Sequence, residues 1–125
     1  MILKIDNSHP DFYNIMGRYF ADKKFIKEMD CQLYDNGFEW YLYYQDDVLC
    51  GFASIEKIKD FYYLDNFYVF EQFRNCGIGT QIVQEILKDR CYIRLISKNP
   101  YAIKIFEKNG FQEYGHNGQY KRFKI

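Results

Sequence analysis

Tyr68-Val69-Phe70-Glu71-Gln72-Phe73-Arg74-Asn75-Cys76-Gly77-Ile78-Gly79-Thr80 is the stretch where the hydrophobic period of the chain changes. Upstream of it, Phe61 to Val69 is dense in aromatic and branched residues and reads as a strand. Downstream, Ile78, Ile82, Val83, Ile86 and Leu87 recur at i, i+4, i+5, i+8 and i+9, one face of a helix expected to begin near Gly79. The loop between them carries Arg74 and two glycines. Glycines at a strand-to-helix junction let the backbone turn with its N–H groups pointing into one concavity above the positive end of the helix. Phosphate or pyrophosphate suits such a concavity, and a side chain at Gly77 or Gly79 is expected to block its approach. Two phosphate loops are excluded by counting. A dinucleotide fingerprint needs glycine where Ile82 stands, and a Walker loop needs a lysine between Gly79 and Thr80. The loop alone leaves a plainer alternative open, a helix N-terminus that simply contains glycines.

Working outward, Ile2 to Asp6 alternates as a short strand, and Phe12, Ile15, Met16, Tyr19 and Phe20 fall at helical spacing after Ser8-His9-Pro10. Phe25, Ile26 and Met29 indicate a second short helix before an Asp35-Asn36-Gly37 turn. Glu39 to Gln45 and Val48 to Lys57 flank Asp46-Asp47 as an antiparallel hairpin, and Lys59-Asp60 marks the turn into the next strand. Tyr92 to Ile96 is a strand, Asn99-Pro100 supplies a helix N-cap and first residue, and Asn109-Gly110 supplies its stop. A closing hairpin is expected around Asn117-Gly118. The order βααβββ–αβα–ββ predicts one domain over residues 1–125: a mostly antiparallel sheet with helices packed on it, of α+β or mixed α/β class.

The 125 residues suffice for a single core, with 48% hydrophobic and 27% charged side chains. Aromatic residues reach 21%, and Trp40, Tyr41, Tyr43 and Tyr44 are expected to build the sheet core. Seventeen basic and seventeen acidic side chains cancel, so no uniform field draws the protein to nucleic acid or an anionic membrane. The cancellation hides an asymmetry: residues 1–70 carry 7 basic and 12 acidic groups, residues 98–125 carry 6 and 2. No apolar run approaches the roughly 18 residues of a membrane span, and the opening residues lack a secretory pattern, so a cytoplasmic location is expected. Cys31, Cys50, Cys76 and Cys91 form no C-x-x-C pair and lie far in sequence from His9 and His116. Neither a metal site nor a disulfide framework is expected, and the thiols read as reduced and mostly buried. Cys76, in the glycine loop, is the one to watch for redox sensitivity.

Arg74-x-x-Gly77-x-Gly79 resembles motif A of the GCN5-related N-acetyltransferases, the R/Q-x-x-G-x-G/A run that binds the coenzyme A pyrophosphate. Asn99-Pro-Tyr-Ala102-Ile-Lys-Ile-Phe106-Glu-Lys-Asn-Gly110-Phe111 resembles motif B of the same family, and a helix and a strand separate the two. The resemblance implies an acyl-CoA N-acyltransferase fold with acetyl-CoA as cosubstrate. It also implies that the strand backbone at Phe67, Tyr68 and Val69 pairs with the pantetheine arm. The pyrophosphate would lie over the N–H groups of residues 75–80 beside Arg74, Asn99 would reach the cofactor, and Lys98, Lys104 and Lys108 are further cations near its charged end.

Direct acetyl transfer needs a neutral amine, a route for its proton and an acid for the departing thiolate. The family's usual acid is a tyrosine where this chain has Phe106, which can pack against the cofactor but donates no proton. A glutamate sometimes found on the preceding strand is also missing, with Arg94 near that place. Asp65 or Asn66 on the central strand are the leading replacements for proton handling, with Glu56, Tyr101 and Tyr120 behind them. Strand alternation places Asp65, Phe67 and Val69 on one face unless a bulge shifts the register toward Asn66. The acidic first half suits a cationic amine acceptor. The alternative reading is an acyl-CoA-binding sensor of weak or no activity. A monomer or homodimer is expected.

Overall fold

Two tight turns start the sheet. Asp46 and Asp47 both take positive φ, 50° and 65°, the geometry that closes a two-residue hairpin with the natural strand twist. Gln45 pairs with Val48 across that turn, and Lys59 (φ 50°) leads into the next strand through Lys59-Asp60. The structure, a computed structural model, describes residues 1–29 and 38–125. The Asp35-Asn36-Gly37 turn and Cys31 lie outside the described residues. The elements run β1 (Ile2–Ile5), α1 (Phe12–Ala21), α2 (Lys23–Met29), β2 (Glu39–Gln45), β3 (Val48–Ile58), β4 (Phe61–Val69), a 3-10 turn (Glu71–Phe73), α3 (Ile78–Asp89), β5 (Ile93–Ser97), α4 (Pro100–Lys108), β6 (Gln112–Asn117) and β7 (Tyr120–Lys124).

The strands form one sheet in the order β1-β2-β3-β4-β5-β7-β6. Among the described residues only the β4–β5 pairing is parallel. This is the mixed α+β architecture that the pattern of elements predicts. Along each strand alternate residues serve two separate cores. Tyr41, Ala53, Ile55, Leu64, Leu95 and Phe123 face α3 and α4, which contribute Ile82, Val83, Ile86, Ala102 and Phe106. Trp40, Leu42, Phe52 and Tyr68 face α1 and α2, which contribute Phe12, Met16 and Phe25. The second core is nearly all rings. Trp40 sits 5.9 Å from both Phe12 and Phe52, and Phe25 meets Tyr68 edge-on at 4.7 Å. Burying each such ring contributes about 1.5–3 kcal/mol. Trp40 and Tyr41 are fully buried as expected, while Tyr43 and Tyr44 are half-buried at the rim.

A polar clamp ties the outer strands to α3. Lys4 pairs with Glu85 at 2.9 Å and Asp89 at 2.7 Å, and the Tyr41 hydroxyl donates to Asp89 at 2.8 Å. Burial and this carboxylate push the Tyr41 phenol well above its ordinary range. The cysteines depart from expectation: Cys50 is buried, but Cys76 and Cys91 are exposed because a loop and a helix–strand junction carry them.

Candidate functional site

The two central strands part company. β4 and β5 pair only at Tyr62↔Ile93 and Tyr63↔Arg94. Beyond that point β4 stays with β3 as far as Val69, and β5 stays with β7 as far as Ser97. Their divergence opens a cleft of about 520 Å³ whose walls include Asn66, Phe67, Tyr68, Ser97, Asn99 and Phe106. Within the sheet, the β4 peptide groups above Tyr63 have no strand partner on the β5 side.

A bulge sits in the β4 wall of this cleft. Ser54 opposes Asp65 and Phe52 opposes Tyr68, so three steps along β4 match two along β3. Asn66 is the inserted residue, with φ 53°, a left-handed conformation that asparagine tolerates better than most. Its buried amide Nδ2 donates to Ser54 Oγ at 2.8 Å. The insertion corrects the simple alternation. Leu64, Phe67 and Val69 all join the α3/α4 core, and Tyr68 joins the α1/α2 core. Asp65, next to Leu64, therefore shares a face with Tyr68 rather than with Phe67 and Val69.

Asp65 lines the cleft half-buried, and its Oδ1 accepts the Asn66 N–H at 2.8 Å. Burial raises its pKa, with help from the negative charge of Glu56, and the Asn66 N–H opposes the shift. Tyr68 is pushed up to about 12, first by burial and then by its hydrogen bond to the Glu28 carboxylate.

The glycine loop lies at the end of β4. Asn75 (φ 63°) and Gly77 (φ 82°) turn the backbone, and Gly77 occupies the N-cap of α3 with no side-chain cap. The first helical bond runs from the Gln81 N–H to the Gly77 carbonyl at 3.0 Å, so the N–H groups of Ile78, Gly79 and Thr80 precede the intrahelical ladder. A side chain at Gly77 would meet nothing within 4 Å. Gly79 is different. A Cβ there would stand 2.6 Å from Ile105 Cδ1 and 3.0 Å from Phe67 Cζ, so packing of α3 on β4 and α4 requires this glycine. Arg74 is anchored: its Nε donates to the Val69 carbonyl at 2.8 Å, its Nη2 pairs with Glu28 at 3.2 Å, and its guanidinium lies over the Tyr68 and Tyr101 rings.

The model of the acetyltransferase (GNAT) domain matches residues 36–113, a span that contains the splayed strands, the glycine loop and α4. The chain belongs to the GNAT acetyltransferase family. Among curated proteins, a spermine/spermidine N(1)-acetyltransferase of Bacillus subtilis (strain 168) is 26% identical over 97 residues. That match covers 62% of this chain and 63% of the relative, under two thirds of its length. Among solved structures, an IAA acetyltransferase from Bacillus cereus ATCC 14579 superposes with a TM-score of 0.73 at 11% identity, over 100% of this chain and 97% of that one. A GNAT acetyltransferase from Elizabethkingia anophelis with acetyl-CoA bound gives 0.69 at 14% identity, over 100% and 96%.

Within this GNAT domain Phe106 is buried against Phe67, ring centroids 5.0 Å apart, on the α4 side of the cleft. Asn99 caps α4, its Oδ1 accepting from the Tyr101 and Ala102 N–H groups at 2.9 and 3.4 Å. Its amide nitrogen is thus the end left to reach a ligand. Lys98 lines the cleft. Lys104 and Lys108 lie on exposed α4 positions away from its walls. Arg94 is not in the cleft; it stacks on Phe61 at 4.5 Å near the closed end of the β4–β5 pair. Among the described residues no group of three or more His, Cys, Asp or Glu could hold a metal ion, and no helix is long and apolar enough to cross a membrane. Glu28 and Gln119 also line the cleft, and no sequence motif marks either.

Proposed function

We propose that this GNAT domain transfers the acetyl group of acetyl-CoA to a primary amine of a small molecule or protein by direct attack, without an acyl-enzyme. The observation that carries the reading is the splay of β4 from β5 with the uncapped N-terminus of α3 at its end. The peptide groups of Phe67 and Tyr68, which have no strand partner on the β5 side, suit the amides of the pantetheine arm, while the Val69 carbonyl beside them is held by Arg74. The N–H groups of residues 75–80 suit the pyrophosphate, and the open space at Gly77 leaves the backbone approachable. Arg74, held by the Val69 carbonyl and Glu28, supplies positive charge there. Acetyl-CoA brings a thioester, whose carbonyl carbon the amine nitrogen attacks as the C–S bond breaks.

Asp65 is the residue assigned to the amine. Its carboxylate faces the cleft, it orients the incoming ammonium, and it accepts the proton lost from nitrogen, directly or through a water. Asn66 keeps Asp65 in place through its backbone N–H and holds the bulge by its bond to Ser54. Thiolate leaving requires a proton. Phe106 supplies none, and Tyr120 is a phenol in the same cleft that can. Phe106 also supports the second reading, in which the cleft binds acyl-CoA as a sensor and turns over weakly. The test is thiol release from acetyl-CoA across a panel of mono-, di- and polyamines and peptide N-termini, beside calorimetric titration of the cofactor. Transfer to one amine class establishes the enzyme. Cofactor binding without thiol release establishes the sensor, and neither binding nor release refutes both.

A further inference from the structure

The helices cover the sheet unequally. α3 and α4 pack under β2 to β5 and β7, whereas the α1/α2 core takes strand residues only from β1 to β4. On the α1/α2 side, the surfaces of β5, β7 and β6 are bare among the described residues. Arg94 and Ile96 on β5, and Arg122 and Lys124 on β7, alternate with buried Leu95 and Phe123 and so project from that bare face. All four are exposed. Arg94 stands directly opposite Lys124, and Ile96 directly opposite Arg122. Like charges directly opposite across a sheet are destabilising. Among the described residues none of the three cations is in an ion pair, although Lys121 on the other face pairs with Glu113. Two of them lie over rings instead: Arg94 over Phe61 at 4.5 Å and Lys124 over Tyr114 at 5.3 Å. A groove of about 760 Å³ runs beside them; Phe61, Tyr92 and Ile125 line it along with the two cations and one carboxylate, Asp60.

The same two strand faces lead into the cleft. Continuing the alternation, Arg94 and Ile96 are followed by Lys98, and Lys124 and Arg122 by Tyr120; Lys98 lies over the Tyr120 ring at 5.2 Å, and both line the cleft. Tyr63, two residues before Asp65 on the same face of β4, pairs with Arg94, so the bare face begins beside the proposed amine site. A polycationic acceptor leaving that site along β5 and β7 would meet three unpaired positive charges.

We propose that this face docks an acidic stretch of a polypeptide acceptor, whose N-terminal or lysine amine enters at Asp65 and whose glutamates or aspartates lie across Arg122, Arg94 and Lys124. The proposal rests on the acetyl-transfer reading for its amine, and on charge complementarity and continuity of the face for its acidic stretch. Exposed ion pairs are individually weak, so three together confer about a tenfold preference at low salt.

The experiment compares the full chain with its triple variant Arg94→Gln, Arg122→Gln, Lys124→Gln, whose fold is checked by thermal melting. Substrates are peptides identical in their first residue and followed by glutamates, by glycines or by lysines. The expected result is a KM about tenfold lower for the glutamate peptide than for the glycine one, lost in the variant and in 0.5 M salt, with transfer to a small monoamine unchanged. Equal use of all three peptides, or a preference that survives in the variant, overturns the proposal. Fluorescence anisotropy of a labelled glutamate peptide reads docking without turnover: binding lost in the variant supports the face even if no amine is acetylated, in which case only the transfer reading fails. Tighter binding of an oligothymidylate than of the peptide, or salt-sensitive self-association abolished in the variant, assigns the face to nucleic acid or to a second copy and overturns the proposal.

Discussion

Replacing Gly79 by valine separates a glycine that packs from a glycine that clears room for a ligand. Carbon atoms rest about 3.5–4.0 Å apart. The Cβ that valine brings would lie 2.6 Å from Ile105 Cδ1, 3.0 Å from Phe67 Cζ and 3.6 Å from Val69 Cγ2 before either γ-methyl is placed. The Ile105 tip is half-buried and can turn aside. Phe67 cannot easily do so, since its ring is wedged edge-on against Phe106. Overpacking of this kind costs about 1–3 kcal/mol. For a domain of this size about 2 kcal/mol lowers Tm by roughly 6–10 °C. Ile105→Val removes the nearest atom, so the double variant should recover about 0.5–1 kcal/mol of the loss. Gly77→Ala serves as the contrast: nothing crowds its Cβ, and its cost of about 1–2 kcal/mol comes from positive φ alone. It should show no coupling to Ile105→Val. The assay is thermal melting by circular dichroism, followed by acetyl-CoA titration of the folded proteins. A Gly79→Val protein that melts within 2 °C of wild type yet loses cofactor affinity refutes the packing argument and returns Gly79 to the cradle.

Asp65→Asn should cut kcat/KM by about ten- to a thousandfold with cofactor affinity unchanged. The same substitution should raise Tm at pH 7: a raised folded pKa means the native state holds the proton more tightly than the unfolded chain, so ionised Asp65 disfavours folding above its folded pKa. The gain should vanish below the ordinary carboxyl range, which melting curves at pH 3 and pH 7 decide. Phe106→Tyr should raise kcat more than it changes KM where thiolate protonation limits turnover; no change in a chemistry-limited assay means that another acid already serves. Arg74→Lys removes the Nε bond to the Val69 carbonyl and the guanidinium contacts with the Tyr68 and Tyr101 rings, so acetyl-CoA affinity should fall about tenfold by calorimetry.

The order of elements is legible because each element carries its own signal. Asp46-Asp47 and Asn117-Gly118 are local turn chemistry, Asn99 is an N-cap, and α3 shows its buried stripe every three to four residues. The motif region around Arg74 and Gly77 is legible for the same reason, since a strand-to-helix junction is contiguous in sequence. What is not legible depends on partners distant in the chain. The role of Gly79 is decided by Ile105 and Phe67 from two other elements. Glu28 enters the cleft because α2 packs its Phe25 against Tyr68, and nothing in the local sequence marks it. Cys91 reads as a core residue by type, but it falls in the exposed segment between α3 and β5.

The bulge at Asn66 links these observations. Without the inserted residue, β4 would turn Asp65 toward the α3/α4 core, where Leu64, Phe67 and Val69 exclude water and an unpaired carboxylate would be costly. With it, Phe67 and Val69 keep the packing that seats α3 and α4, and Asp65 faces the side on which Tyr68 and Glu28 stand. The insertion is stabilised by a bond from Asn66 to fully buried Ser54, so a change at Ser54 reaches the site without touching a ligand. Ser54→Ala removes the acceptor of that buried bond, which should cost about 1 kcal/mol. Were Asp65 only a surface acid, activity would be insensitive to Ser54 once the protein is folded. If its position is fixed through the bulge, Ser54→Ala should lower kcat more than it raises KM, and Ser54→Thr, which restores a hydroxyl, should recover most of it.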